Sequence, residues 1–99
     1  MREAISTSQA PSAIGPYSQG IATEQFVFVS GQLPVDPTTG AMPEDIRAQA
    51  AQSLANVKAV LEASGSSMGR VVKTTIFLSD INDFAAVNEV YATCFPQPC

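Results

Sequence analysis

Apolar and polar residues alternate along four short segments of the chain and recur at steps of three and four along two longer ones. Alternation is typical of strands, and the longer steps are typical of helices. Strands are predicted at residues 2–7, 17–23, 26–31 and 71–79. Helices are predicted at residues 43–64 and from Asp80 or Asn82 to about Cys94. The predicted order of elements is therefore β-β-β-α-β-α.

The first helix has the clearest pattern. Pro43 suits a first helical position, and Gly65 suits the left-handed residue that ends a helix. One apolar stripe runs along the helix, made of Ile46, Ala50, Leu54, Val57 and Leu61. A helix with one such stripe buries it against a neighbouring layer.

The order strand, helix, strand predicts a parallel pair of strands joined by a right-handed crossover. We therefore expect an α+β fold, a mixed sheet with two helices on one face. The strand at 26–31 is apolar on both faces, with Phe26 and Phe28 on one and Val27 and Val29 on the other. Such a strand is covered on both sides, and sheet packing between subunits would cover the face that the helices leave open.

Composition narrows the class of protein. Ninety-nine residues predict a single domain over residues 1–99. The charged fraction is 14%, against a typical share of roughly 25%, which favours an oligomer. The net charge is −4 and the basic residues are scattered, so nucleic-acid binding is not expected. No apolar run is long enough to span a bilayer and no signal-peptide core is present, so we expect no membrane partner and a cytoplasmic protein.

The chain contains no histidine, which excludes nucleophilic catalysis by Ser-His or Cys-His pairs and leaves few metal ligands. We therefore expect no metal. Three polar features are candidates for a site. Ser30 and Gly31 end a buried strand, Tyr17 follows a stiff Gly-Pro turn, and Asn88 lies beside an apolar helix face. From the residues alone, Ser30 and Gly31 are better explained by the turn and Tyr17 by packing over its loop, whereas Asn88 fits a loop contact and a pocket equally well.

Three segments together change this interpretation. They are Ala13-Ile14-Gly15-Pro16-Tyr17-Ser18-Gln19, the stretch from Ser30 to Gly40, and the stretch from Val71 to Asp80 that continues to Asn88 and Tyr91. In these segments the chain resembles the reactive-intermediate deaminase family, also known as the RidA or YjgF family. The resemblance implies a chorismate-mutase-like fold and a homotrimer with a pocket in each cleft between subunits.

The resemblance also implies an activity. Members of that family hydrolyse reactive enamines and imines such as 2-aminoacrylate and 2-aminocrotonate to 2-oxo acids and ammonia, without a cofactor. These intermediates escape from pyridoxal-phosphate-dependent serine and threonine dehydratases. The family's site residues correspond to Tyr17, Ser30, Gly31 and Asn88. On this basis we expect Ser30, the Gly31 amide and Asn88 to hold the substrate's polar atoms. Tyr17 would position the imine or its attacking water.

The family pattern continues beyond Cys99 with an arginine that clamps the substrate carboxylate, a glutamate and two further strands. We therefore expect the sheet of these 99 residues to be incomplete at its C-terminal side. Little or no deaminase activity is expected from them alone, because a lost charge clamp weakens binding. Two alternatives are a non-catalytic trimeric ligand-binding or regulatory protein, and an endoribonuclease or translation inhibitor.

Overall fold

A three-stranded antiparallel sheet forms the first layer of the molecule. A computed structural model of the protein describes residues 2–96. The strands are β1 (Glu3–Ile5), β2 (Gly20–Ala22) and β3 (Val27–Val29), in the order β1-β2-β3. Gly20 at the start of β2 pairs with Ile5 on one side and with Val29 on the other. The first three predicted strands are confirmed, each with closer bounds than the alternation indicated.

The long helix α1 (Ile46–Ala63) begins later than its sequence pattern predicts. Asp45 is the N-cap, and its carboxylate accepts the Ala48 N–H at 3.0 Å. The prediction that Pro43 opens the helix is wrong, because this side-chain cap satisfies an amide that the first turn leaves without a partner. Gly65 has a φ of +85°, which confirms its predicted place after the helix end.

The core lies between α1 and the inner face of the sheet. Val60 is fully buried there with Ile5 and Ala10, and Val27 and Val29 pack against this cluster. On the opposite face, the side chains of Phe26 and Phe28 are 56% and 62% exposed. The face of the sheet that the helices leave open is therefore the one that carries Phe26 and Phe28.

The buried side of α1 is only partly the predicted stripe. Ala50 and Leu61 are buried as expected, whereas Ile46, Leu54 and Val57 remain half-exposed. The two most deeply buried side chains are Asn56 and Val60, which lie outside that stripe.

The second helix, α2 (Phe84–Cys94), packs along α1. A 3-10 turn at Ile81–Asp83 precedes it, and the Asp80 carboxylate accepts the Asn82 N–H at 2.9 Å to begin that turn. The helix ends at Cys94, as predicted. Among residues 2–96, no helix has the length and apolar character needed to cross a bilayer.

The predicted fourth strand at 71–79 is wrong for the described residues, and so is the parallel pair that depends on it. This segment forms no strand, and the sheet within residues 2–96 is wholly antiparallel. Val72 and Phe77 are 89% and 92% exposed. A strand requires a hydrogen-bonded neighbour as well as alternating side chains, and this segment has none among residues 2–96. The Thr74 hydroxyl shares a hydrogen bond of 2.8 Å with the Tyr91 hydroxyl of α2.

Candidate functional site

Ser30 extends the pairing of β2 and β3 by one residue. Its N–H donates to the Gln19 carbonyl at 3.0 Å, and its hydroxyl donates to the Ser18 carbonyl. A carbonyl oxygen can only accept, so the hydroxyl proton is used in this bond. The half-buried Ser30 oxygen therefore offers lone pairs, and no proton, to a ligand.

A tight turn brings Tyr17 to the same end of the sheet. The Tyr17 N–H donates to the Gly15 carbonyl at 2.9 Å, around Pro16. Gly15 has a φ of +133°, a conformation that favours glycine, and the Tyr17 ring lies 3.8 Å from the position that a Cβ of Gly15 would take. The tyrosine is 51% exposed, and its hydroxyl makes no hydrogen bond within residues 2–96. The phenol is thus directed by its backbone and is open to a ligand.

Gly31 follows Ser30 and is exposed. Its N–H makes no hydrogen bond within the part of the chain that the structure describes. The position that a Cβ of Gly31 would take has no atom within 4 Å. A small ligand can therefore approach this backbone donor without obstruction from the described residues.

Gln19 supports this region, although no sequence pattern indicated it. Its side chain is buried, with 4% of its surface exposed. The amide nitrogen donates to the carbonyls of Thr7, Ala10 and Pro11, and the amide oxygen accepts the Thr7 N–H at 2.6 Å. One side chain thus attaches residues 7–11 to the segment that leads from Tyr17 into β2.

Asn88 is the candidate that lies on a helix. It lies exposed on α2, and no hydrogen bond within residues 2–96 joins its side chain to Tyr17, Ser30 or Gly31. The adjacent Glu89 forms an ion pair with Arg47 of α1. The hydrogen bond that the Arg47 guanidinium donates to Glu89, followed by the negative charge of Glu89, raises the pKa of Arg47. The pair contributes little stability, because both side chains are at least half exposed.

Two cavities lie elsewhere on the described surface. One, of about 70 Å³, is lined by Met68, Gly69, residues 71–73, Tyr91 and the two residues after α2. The other, of about 270 Å³, lies between β1 and the end of α1. Neither is lined by Tyr17, Ser30, Gly31 or Asn88. Within residues 2–96, no group of three or more metal-ligating side chains comes together.

The arrangement is suited to a small polar molecule. The Gly31 N–H can donate to a carboxylate or carbonyl oxygen, and the Ser30 oxygen can accept an N–H. The Tyr17 hydroxyl can do either. The backbones of these three residues lie at one end of the β2–β3 pair. A site of this kind would act by orienting the ligand and a water molecule through hydrogen bonds, without forming a covalent intermediate.

Comparisons with known proteins agree with this fold. Residues 7–99 match the family model described as endoribonuclease L-PSP. The chain is 55% identical over 97 residues to the 2-iminobutanoate/2-iminopropanoate deaminase of Salmonella typhimurium, covering 98% of this chain and 76% of that protein. The crystal structure of Escherichia coli TdcF with bound serine matches with a TM-score of 0.90 and 52% identity, over 92% of this chain and 72% of that one.

A third relative matches the full length of the described fold. The structure of YyfA from Yersinia pestis, a Rid-family protein, has a TM-score of 0.95 and 44% identity, over 100% of this chain and 79% of that one. The α+β fold is thus that of the Rid proteins, although residues 71–79 form no strand within residues 2–96. With a family model over residues 7–99 and relatives above 50% identity, this chain belongs to the RidA/YjgF family of reactive-intermediate deaminases.

Proposed function

We propose that this protein hydrolyses reactive enamine and imine intermediates, such as 2-aminoacrylate and 2-aminocrotonate, to 2-oxo acids and ammonia. The observation that carries the proposal is the position of Ser30 and Gly31. The Ser30 hydroxyl proton is used by Ser18, and the adjacent Gly31 N–H is unused among residues 2–96. An acceptor and a donor thus lie side by side. A 2-imino acid needs such a pair, because it presents N–H groups beside carboxylate oxygens.

The reaction requires one water and no redox partner. The enamine first takes a proton at its β-carbon and becomes the iminium ion, which is the protonated imine. Water then adds to the C=N carbon, and proton transfers within the resulting carbinolamine let its C–N bond break. The products are a 2-oxo acid and ammonia, so that one C=O replaces one C=N and no electrons are lost or gained.

Each candidate residue has a proposed role in this reaction. Gly31 N–H donates to a carboxylate oxygen, and the Ser30 oxygen accepts an imine N–H. The Tyr17 hydroxyl, with no partner among residues 2–96, orients the attacking water. Asn88 binds a further polar atom of the substrate. Such pre-oriented dipoles favour the charge distribution of the transition state without a covalent intermediate.

A homotrimer is part of the proposal. Tyr17, Ser30 and Gly31 lie on an open surface, outside the two cavities described above. A second copy of the chain would enclose this surface and exclude bulk water, which strengthens hydrogen bonds at the site. The exposed face of Phe26 and Phe28 offers an apolar surface for such packing.

The proposed substrates also suggest a location. They react with water spontaneously, so the protein must meet them where the pyridoxal-phosphate-dependent dehydratases that release them act. We therefore place the protein in the cytoplasm together with those enzymes.

The proposal is tested with the protein as its source organism produces it. A threonine dehydratase generates the imine in the cuvette, and the release of 2-oxobutanoate and ammonia is compared with spontaneous hydrolysis. We expect the protein to accelerate this step. Release at the spontaneous rate, at every protein concentration, would contradict the proposal. Cleavage of RNA under the same conditions would favour the endoribonuclease alternative.

Two tyrosine variants form a matched pair for this assay. Tyr17→Phe removes a hydroxyl that has no partner within residues 2–96, so we expect slower turnover at an unchanged Tm. Tyr91→Phe removes the hydroxyl that bonds Thr74 at 2.8 Å, so we expect a lower Tm with unchanged turnover. Equal effects of the two variants on turnover would exclude a specific role for Tyr17.

A further inference from the structure

A buried amide on α1 holds the loop that carries Gly31. The Asn56 side chain is 1% exposed. Its nitrogen donates to the carbonyls of Leu33 and Val35, at 3.0 and 2.9 Å. Its oxygen accepts the Gln52 side-chain N–H at 2.9 Å, one turn earlier on the helix. Both donor hydrogens of the amide are therefore used on one loop.

The loop has few other ties to the rest of the molecule. The Val35 N–H donates to the Leu33 carbonyl at 2.8 Å, which is a contact within the loop itself. The Leu33 side chain is 67% exposed, so it does not anchor the loop in the core. Within residues 2–96, the hydrogen bonds that join positions 31–35 to a helix all come from Asn56.

Gly31 thus lies on a short span between two fixed points. On one side, the Ser30 N–H donates to the carbonyl of Gln19, the residue directly before β2. On the other side, the Leu33 carbonyl is bonded to Asn56. Only Gly31 and Gln32 lie between these anchors, so the direction of the Gly31 N–H depends on both.

We propose that Asn56 is a positioning residue for catalysis, which acts by fixing the direction of the Gly31 N–H. The inference rests on the proposed function, in which that N–H binds the substrate. Asparagine is suited to this role because its amide has two donors for two carbonyls and an acceptor for Gln52. Aspartate and leucine match its size, but an ionised aspartate has no donor and leucine has no polar atom.

A purely structural role for Asn56 makes a different prediction. Buried carbonyls need partners wherever they lie. If satisfying them were all that Asn56 did, its loss would affect the protein as any core defect of similar size does. The proper comparison is therefore Val60→Ala, one turn further along α1. Val60 is fully buried and packs beneath the sheet, and its side chain has no polar contact with the loop.

The experiment compares Asn56→Leu with Val60→Ala at a temperature well below both Tm values, with Asn56→Ala as a second variant should the leucine fail to fold. Binding of 2-oxobutanoate is followed by NMR. We expect its Kd to rise about tenfold for Asn56→Leu, as for a weakened hydrogen bond to a charged group. For Val60→Ala, we expect a Kd close to that of the wild type. Turnover of the imine should fall in parallel in the Asn56 variant alone.

A second measurement reports on the loop without any ligand. ¹⁵N relaxation should show increased fast motion at positions 31–35 in Asn56→Leu and not in Val60→Ala. Equal Kd, turnover and loop order in the two variants would overturn the inference. If the wild-type protein itself showed no turnover, the proposed function would fail instead. The relaxation data would then decide whether Asn56 fixes the loop.

Discussion

The Ser30 hydroxyl donates to the Ser18 carbonyl, and this bond determines what Ser30 can offer a ligand. The same residue's N–H is bonded to the next carbonyl along the chain, that of Gln19, at 3.0 Å. Ser30 is therefore held by its backbone and by its side chain. A hydroxyl that donates its proton to a carbonyl is oriented as an acceptor. It differs from a nucleophilic serine, whose hydroxyl proton is bonded to a general base.

Ser30→Ala should therefore slow deamination without unfolding the protein. The variant keeps the N–H bond to Gln19 and loses only the hydroxyl. Loss of one neutral hydrogen bond is worth about 0.5–1.5 kcal/mol, so we expect turnover to fall by a factor between about two and about twelve. The rate of 2-oxobutanoate release and the Tm are measured on the same sample.

Ser64→Ala is the matched control for this variant. The Ser64 hydroxyl also donates to a backbone carbonyl, that of Leu61, but at the end of α1. Both variants should lose a similar amount of stability, and only Ser30→Ala should lose turnover. Equal turnover of the two variants would mean that Ser30 serves only the fold.

Two glycine substitutions should lower different properties: Gly20→Ala should lower stability, and Gly31→Ala should lower activity. A Cβ at Gly20 would lie 2.9 Å from Val60 Cγ1 and 3.1 Å from the Phe28 carbonyl, so Gly20→Ala should cost about 1–3 kcal/mol. A Cβ at Gly31 meets no atom within 4 Å, so Gly31→Ala should be neutral or slightly stabilising. It should nevertheless lower turnover, because the methyl group would stand where the substrate approaches the N–H.

Denaturant unfolding and the imine assay, applied to both variants, check this prediction. A Gly31→Ala protein with full activity would show that no ligand approaches closely at that backbone. A Gly20→Ala protein as stable as the wild type would show that β2 and α1 can separate at little cost.

The fold could be predicted where side-chain pattern alone decides the structure. The three N-terminal strands and both helices follow from alternation and from helical spacing. The segment 71–79 has the same alternation and forms no strand within residues 2–96, because pairing depends on a neighbour that a local pattern cannot specify. The start of α1 was misplaced for a related reason: Pro43 and Asp45 both suit a helix start, and only the geometry shows which residue caps it.

The candidate site was less predictable. Tyr17, Ser30 and Gly31 came from a family resemblance, and the structure brings them to one end of the β2–β3 pair. Whether they act on substrate is still a prediction. Gln19 and Asn56, which hold the surrounding loops, were missed, because a buried amide bonded to backbone carbonyls resembles a surface residue in sequence.

Replacing Gln19 by glutamate should make stability depend on pH. A glutamate there would be buried among the carbonyls of Thr7, Ala10 and Pro11, which disfavours its charged form. Its pKa in the folded protein should therefore rise above the value in the unfolded chain, about 4.3. The variant should be closest to wild-type stability below that pH and should lose stability as the pH rises through the folded-state pKa.

Urea unfolding of Gln19→Glu and the wild type, from about pH 4 to about pH 8, measures this difference. Gln25→Glu is the control, since Gln25 is exposed in the turn between β2 and β3. Its difference from the wild type should stay nearly constant across the same range. A constant difference for Gln19→Glu as well would show that the side chain leaves its buried position when charged.

The exposed face with Phe26 and Phe28 predicts how the proposed oligomer can be broken. Phe28 is 62% exposed, and its ring centroid lies 6.3 Å from that of Phe26, so the two form one apolar patch. If copies of the chain pack through this patch, Phe28→Asp should leave a folded monomer, because a charge would lose its hydration in the interface. Light scattering after size exclusion measures the mass, and circular dichroism checks the fold.

Phe28→Leu, which keeps the patch apolar, should retain the mass of the wild type. A trimeric Phe28→Asp protein would place the contacts between subunits on another face, and a monomeric wild type would contradict the proposed trimer itself.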